Sequence, residues 1–243
     1  MELLSHPHVH RVQVGEVMQV TLNRADQDNR MSNSMLEALT ESVLVASRTS
    51  RLLVLSAQGP DFCLGRDMPP PPVGSNTTAE QVLRDDAAPV LALIDAILAC
   101  PVPLLCAVHG RTWGIGLVLA AVADVTVAAE DSRFRLRELE RGIPPCLAMA
   151  PLLDRMPAQA LSHLVLTAGE VDVARALSWG LVGESCPASQ LDTVVQGLVD
   201  KMLGFPDPAV RAVKRYLAQA PRHDLGAAAR EGAQLLAQIL AAR

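Results

Sequence analysis

The sequence has few aromatic residues and no long uninterrupted hydrophobic run. Phenylalanine, tryptophan and tyrosine together make up 2% of 243 residues, so aliphatic side chains must fill the core. The best apolar run, residues 115–123, ends at Asp124 and is far shorter than the roughly 20 residues that span a membrane. No cationic segment followed by an apolar stretch opens the chain, so we expect no secretory signal.

Clusters of basic residues and paired cysteine motifs are also missing. The chain has 21 basic and 26 acidic residues, a net charge of −5, which argues against nucleic acid as a partner. The five cysteines form no C-x-x-C pair and are odd in number, which favours reduced thiols over a disulfide framework or a zinc site. We therefore predict a cytoplasmic protein with no metal and no membrane or nucleic-acid partner.

Short β-type runs alternate with helical patterns in the first half, which predicts an α/β fold with a largely parallel sheet. We predict strands at 9–14, 17–22, 52–56, 103–108, 125–129 and 133–136. We predict helices at 35–47, 78–98, 117–123, 146–153, 158–167, 173–179, 191–203, 209–218 and 225–240. Four prolines at 69–72 predict an exposed loop. The helices after Phe205 form a tail that must pack on its own core or on a neighbouring subunit.

Two turns that contain glycine follow predicted strands: residues 62–68, FCLGRDM, and residues 109–116, HGRTWGIG. In open α/β sheets, ligands gather at the carboxyl ends of strands. Glycine there lets the backbone approach a ligand and direct N–H groups at developing negative charge. Neither turn is a phosphate-binding fingerprint, because the second lacks a third glycine and neither has a Walker lysine.

Five segments resemble the crotonase superfamily, also called the enoyl-CoA hydratase/isomerase family. Residues 62–68 are similar to its F-C-A-G-x-D-L turn, and residues 100–116 to its K-P-V-I-A-A-V-x-G-x-A-x-G-G-G segment. Residues 124–129 resemble its C-D-x-x-x-A-A strand, and residues 134–145 its F-x-x-P-E-x-x-x-G-x-x-P motif. Residues 167–182 are similar to its T-G-x-x-x-x-A-x-E-A-x-x-x-G-L-V pattern.

The resemblance implies a crotonase-like ββα spiral core over residues 1–204 and a C-terminal helical trimerisation region over residues 205–243. It implies a homotrimer or hexamer, and the apolar stripe on the tail helices needs a covering surface. That stripe consists of Val210, Val213, Leu217, Leu235, Leu236 and Leu240. The expected substrate is an acyl-CoA of fatty acid metabolism or an acyl-carrier thioester, with coenzyme A as part of the substrate and no further cofactor.

Members of this family hold a thioester carbonyl with two backbone N–H groups. Carried over position by position, the donors are Arg66 and Ile115, and Ile115 stands where the family usually has glycine. The Arg66 guanidinium could alternatively reach a phosphate or an acyl carboxylate. The resemblance places these residues around the substrate: Cys63, Leu64, Gly65, Asp67, Trp113, Gly114, Val118 and Cys146.

The acid–base residues depart from the hydratase pattern. The first of the family's two catalytic glutamates aligns with Val118, and the second with Glu138, where Arg137 replaces the preceding proline. Dienoyl isomerases carry an aspartate at the position of Cys146. A single carboxylate disfavours hydration and suits a proton shuttle between two carbons, as in the family's enoyl-CoA isomerases.

Two other functions remain open from the sequence. Decarboxylation of a malonyl-type thioester, or other enolate chemistry, needs mainly the two backbone donors. A non-catalytic thioester-binding member would tolerate the loss of the first glutamate, although Glu138 argues against it. Among neighbouring residues, we expect Glu140 to be solvated or ion-paired, His109 to be structural, and the thiols of Cys63 and Cys146 to be structural or inert.

Overall fold

The computed structural model describes residues 6–67, 74, 76–219 and 225–241. The strands are β1 (Val9–Val14), β2 (Val17–Leu22), β3 (Leu52–Ala57), β4 (Leu104–Val108), β5 (Arg111–Trp113), β6 (Val125–Ala129), β7 (Arg133–Arg135), β8 (Val171–Asp172) and β9 (Glu184–Cys186). The helices are α1 (Asn33–Thr49), α2 (Ala79–Val82), α3 (Ala88–Ala99), α4 (Ile115–Val122), α5 (Cys146–Met149), α6 (Ala158–Thr167), α7 (Val173–Ser178), α8 (Leu191–Leu203), α9 (Asp207–Gln219) and α10 (Leu225–Ala241). None of the helices described here is long and apolar enough to cross a membrane. The predicted proline loop at 69–72 lies outside the described residues.

The larger sheet has the strand order β1-β2-β3-β4-β6-β9. The first two strands form an antiparallel hairpin, and the other neighbouring pairs are parallel. All five residues of β4, LLCAV, are buried, as expected for a parallel strand covered on both faces. On one face, α1 packs through its buried stripe of Met35, Leu36, Leu39, Val43 and Ala46. The predicted parallel α/β core is present.

A second, smaller sheet has the order β5-β7-β8. In it β5 and β7 are parallel, and β7 and β8 are antiparallel. The sequence predicted β7 but left residues 111–113 within a turn, and it missed β8 and β9. Each of these three strands has two or three residues, which is too short for a recognisable alternation of apolar and polar side chains.

The single helix predicted over 78–98 is interrupted. Thr78 caps it as predicted, in a reciprocal capping box with Gln81. Residues 83–87 then form a π-helical turn in which the Ala88 N–H donates to the Leu83 carbonyl. Pro89 explains why this turn is π-helical and thus wider than an α-helical one. Proline donates no backbone hydrogen bond, and its ring crowds the carbonyl four residues earlier. That carbonyl, of Asp85, instead accepts a hydrogen bond from the side chain of Asn33 at 3.0 Å.

The first helix of the tail, α9, packs on the core of its own chain through a buried lysine. The ammonium group of Lys214 donates to the Val102 carbonyl at 2.8 Å and to Asp124 Oδ2 at 2.7 Å. The same carboxylate oxygen accepts the Leu104 N–H at 2.7 Å, at the start of β4. One carboxylate therefore joins the tail to the amino-terminal edge of the central strands.

Neutralising Asp124 should destabilise the protein, because the Lys214 side chain is only 7% exposed and would keep an unpaired charge. We expect Asp124→Asn to lower the free energy of unfolding in urea by about 3 kcal/mol. The control is Asp85→Asn, which breaks the solvent-exposed pair with Arg84 and should change nothing measurable. Equal stability of the two variants would contradict this account of the tail.

Candidate active site

The two turns that contain glycine lie side by side. Cys63 and Thr112 form a parallel β-bridge. The Trp113 N–H donates to the Cys63 carbonyl at 2.8 Å, and the Cys63 N–H donates to the Arg111 carbonyl at 3.3 Å. The first turn is therefore fixed along β5, and β5 leads directly into Gly114 and α4.

The backbone of Arg66 is held by a second short bridge, to Met31. The Met31 N–H donates to the Gly65 carbonyl, and the Asp67 N–H donates to the Met31 carbonyl, both at 3.0 Å. The Arg66 guanidinium donates to Asn33 Oδ1 at 2.5 Å and to the Met31 carbonyl at 3.4 Å. The side chain is thus directed to the start of α1.

Glycine is required where β5 turns into α4. Gly114 has φ 53° and ψ −119°, a conformation that favours glycine over residues with a Cβ. At Gly116, an added Cβ would lie 2.6 Å from the Cys63 carbonyl oxygen. The helical hydrogen bonds of α4 begin with the Val118 N–H donating to the Gly114 carbonyl at 3.1 Å. The N–H of Ile115 precedes that ladder, at the helix end where backbone donors favour negative charge.

The Glu138 carboxylate lies against the second turn. Glu138 begins a short helical turn, residues 138–141, shortly after β7. A Cβ built on Gly114 would lie 2.9 Å from Glu138 Oε1 and 3.2 Å from the Gly65 Cα. Gly114 therefore lies close to both the Glu138 carboxylate and Gly65. Gly114 precedes Ile115 in the chain, and Gly65 precedes Arg66.

This carboxylate is partly desolvated. Glu138 Oε2 is buried and has no hydrogen-bond partner among the described residues. Burial raises the pKa of Glu138, while hydrogen bonding to its own backbone and the charges of Arg141 and Arg137 oppose the rise. A buried acceptor without a donor is uncommon in folded proteins, and a catalytic role is one of its known explanations.

Other residues singled out from the sequence fall into two groups. Cys63 is fully buried, and burial raises the pKa of its thiol to about 12, which agrees with the expected structural or inert role. Val118 is buried on α4. The other two are exposed: Asp67 forms an ion pair with Arg24 at 2.6 Å, and Cys146 lies at the start of α5.

Three further predictions concern residues close to the site. The His109 Nε2 donates to the Gly59 carbonyl at 2.9 Å, which agrees with the predicted structural role. Glu140 is ion-paired with Arg135 and Arg137, as predicted. Leu64 is half-buried, and its N–H donates to the Asp28 carbonyl at 3.1 Å.

Sequence reasoning missed the cluster of arginines around Trp113. The guanidinium carbons of three arginines lie 5.4–5.6 Å from the indole centroid: Arg111, Arg135 and Arg137. A signal was present, because the arginines at 133, 135 and 137 alternate along β7 and just beyond it. Alternate residues of a strand share one face.

Comparison with known proteins identifies the family. The family model for enoyl-CoA hydratase/isomerase matches residues 13–242, so the chain belongs to this family. A protein of Rhodobacter capsulatus named probable enoyl-CoA hydratase is 30% identical over 210 residues, covering 86% of this chain and 80% of the relative. The 1,2-epoxyphenylacetyl-CoA isomerase of Escherichia coli K12 is 26% identical, covering 86% and 81%.

Solved structures confirm the crotonase fold. An enoyl-CoA hydratase of Mycobacterium smegmatis superposes with a TM-score of 0.89 at 25% identity, covering 97% of this chain and 91% of that chain. A candidate enoyl-CoA hydratase of Thermobifida fusca YX, in complex with acetoacetyl-CoA, superposes with a TM-score of 0.86 at 26% identity, covering 100% and 98%. The mixed α/β architecture and the helical C-terminal region agree with this fold.

The raised pKa of Glu138 makes a prediction for stability. A carboxyl whose folded-state pKa exceeds its ordinary value of 4.5 binds protons more readily in the folded state, so stability falls as pH rises through that interval. We expect Glu138→Gln to raise the thermal unfolding midpoint at pH 8, and the difference from wild type to vanish below pH 4.5. If Glu138→Gln instead lowered the unfolding midpoint at pH 8 relative to wild type, that result would contradict the burial of a charged carboxylate at this position.

Proposed function

We propose that this protein converts acyl thioesters through an enolate whose oxygen is held by the backbone N–H groups of Arg66 and Ile115. The pairing of the two turns through Cys63 and Trp113 supports this, because it brings both donors to the same edge of the sheet. Removing one such donor typically costs about 3 kcal/mol of transition-state stabilisation. The substrate is an acyl-CoA or an acyl-carrier thioester, with coenzyme A as part of the substrate.

Glu138 is the proposed acid–base group, in an isomerase-type reaction. Its carboxylate takes a proton from C2 of a 3-enoyl thioester, and the electron pair moves into a dienolate with negative charge on the thioester oxygen. The protonated Glu138 then gives the proton to C4, and the double bond shifts to C2–C3. The raised pKa of Glu138 suits a group that must both accept and return a proton.

The single observation that carries this proposal is the contrast between Glu138 and Val118. The Glu138 carboxylate lies within contact distance of Gly114 and bears a buried oxygen that accepts no hydrogen bond from the described residues. Val118 is buried and transfers no proton. Names among the relatives divide between hydratases and isomerases, with hydratases more frequent, so our preference for an isomerase depends on these two residues.

The competing decarboxylase function has less support. In the sequence, two features allow it: the Arg66 guanidinium, which could hold an acyl carboxylate, and the valine at 118 in place of the first glutamate. That guanidinium donates instead to Asn33 and to the Met31 carbonyl. These contacts weaken the support that Arg66 gives to a malonyl-type substrate, whereas the valine at 118 still allows one.

Replacing the proposed base tests the reaction. Glu138→Gln should lower kcat for 3-enoyl-CoA isomerisation by about 10²- to 10⁴-fold, with little change in thioester affinity, because a general base contributes about that much. The measurement is mass spectrometry and kinetics on 3-enoyl-, 2-enoyl- and malonyl-CoA. The control is Glu184→Gln, which removes an exposed carboxylate on β9.

Three results would contradict the isomerase proposal. Near-full turnover by Glu138→Gln on every substrate that the wild type accepts rules out the proton shuttle. Carbon dioxide release from malonyl-CoA that survives the substitution identifies a decarboxylase. Binding of thioesters without turnover by the wild type identifies a non-catalytic member.

We also propose that the protein is a homotrimer or a dimer of trimers. Among the described side chains of the predicted stripe, four are at least half exposed in the single chain: Val213, Leu217, Leu236 and Leu240. The side chain of Leu235, which belongs to the same predicted stripe, lies outside the described residues. Burying such a stripe is a common reason for association.

Sedimentation at micromolar concentration measures this state. We expect a species of three or six times the 25.9 kDa of one chain. A single species at the mass of one chain would overturn the proposal.

A further inference from the structure

A network of charged groups and one indole ring surrounds the turn that carries Glu138. The Glu140 carboxylate bonds to Arg135 through one oxygen and lies 3.3 Å from Arg137 Nε through the other. Both guanidinium groups also lie over the ring of Trp113, at 5.6 and 5.4 Å from its centroid. One carboxylate thus joins two cations that both lie over the same indole ring, an arrangement that cation–π attraction favours.

Arg135 is the fixed part of this network. It pairs with Trp113 in the parallel register of β5 and β7. Its carbonyl accepts the N–H of Gly114 at 3.1 Å, and its Nε donates to the Ala168 carbonyl at 2.6 Å. A group bound to Arg135 is therefore held at a set distance from the start of α4.

Glu140 and Glu138 belong to one short turn, residues 138–141. The Ile143 N–H donates to the Glu138 carbonyl at 3.0 Å and closes that turn. When Glu140 binds the two arginines, the whole turn is held against β5, and the Glu138 carboxylate is held against Gly114.

We propose that Trp113, Arg135, Arg137 and Glu140 form a clamp that positions the Glu138 carboxylate against Gly114, the residue that precedes Ile115. Glu140 is the positioning residue, because its carboxylate bridges both arginines. The inference rests on the proposed function, in which Glu138 moves the proton. Arg137, which stands where the resemblance leads one to expect proline, thereby gains a role.

The clamp acts on geometry and not mainly on stability. The Glu140 side chain is 40% exposed, and ion pairs at such positions contribute little to the free energy of unfolding. A small displacement of a reacting group, by contrast, can lower a rate by about 100-fold. Loss of Glu140 should therefore reduce the rate of chemistry far more than the stability.

The test compares two carboxylates that each pair with an arginine of β7. Glu140→Gln should lower kcat for the substrate that the wild type turns over by about 10- to 100-fold, with KM changed less than about two-fold. Glu140→Asp, which keeps the charge on a shorter side chain, should recover part of that loss. The matched control is Glu170→Gln, because Glu170 pairs with Arg133 at 4.0 Å and makes no ion pair with Arg135 or Arg137.

A second readout follows the clamp without any activity. The chain has two tryptophans, so in a Trp179→Phe background the fluorescence reports Trp113 alone. Glu140→Gln should shift the Trp113 emission, and Glu184→Gln, which removes an exposed carboxylate on β9, should not. A kcat within about two-fold of wild type, an equal loss in Glu140→Gln and Glu170→Gln, or an unchanged emission would each overturn the clamp. Failure of the proposed function is recognised separately, by normal turnover in Glu138→Gln.

Discussion

The β-bridge between Cys63 and Thr112 is the contact on which the site depends. It fixes two turns, far apart in the sequence, in one register, and the Trp113 N–H bond to the Cys63 carbonyl extends it. Gly114 and Gly116 then allow backbone approaches that a Cβ would block. Without this register, the two backbone donors of the proposed function, Arg66 and Ile115, could not face one oxygen, whatever side chains surrounded them.

The electrostatics of the site combine an unfavourable burial with nearby positive charge. Glu138 is desolvated enough for its pKa to rise, yet Arg137 and Arg141 keep the carboxylate from being isolated in an apolar pocket. A buried charged group that lowers stability is common where a protein acts on a ligand, because an arrangement that serves reactivity is often not the most stable one. Other parts of the protein stabilise the fold, among them the fully buried strand β4 and the Lys214–Asp124 ion pair.

Sequence patterns predicted the elements that have strong periodicity or clear punctuation. The strands at 9–14 and 17–22, the capping by Thr78 and the two glycine turns were all recognised. The π-helical turn ahead of Pro89 was missed, because the Asp85 carbonyl within it accepts a hydrogen bond from Asn33, which is distant in the sequence. The clamp on Trp113 was missed for a related reason: the ring and Glu140 lie on separate segments, and only the paired strands bring them together.

The most direct test of the site is a crystal structure of the protein with acetoacetyl-CoA bound. The account predicts that the thioester oxygen lies about 3 Å from the backbone nitrogens of both Arg66 and Ile115, at hydrogen-bond distance. It also predicts that the Glu138 carboxylate faces C2 of the acyl group from beside Gly114. A thioester oxygen bound elsewhere, or a Glu138 carboxylate out of reach of the acyl carbons, would contradict it.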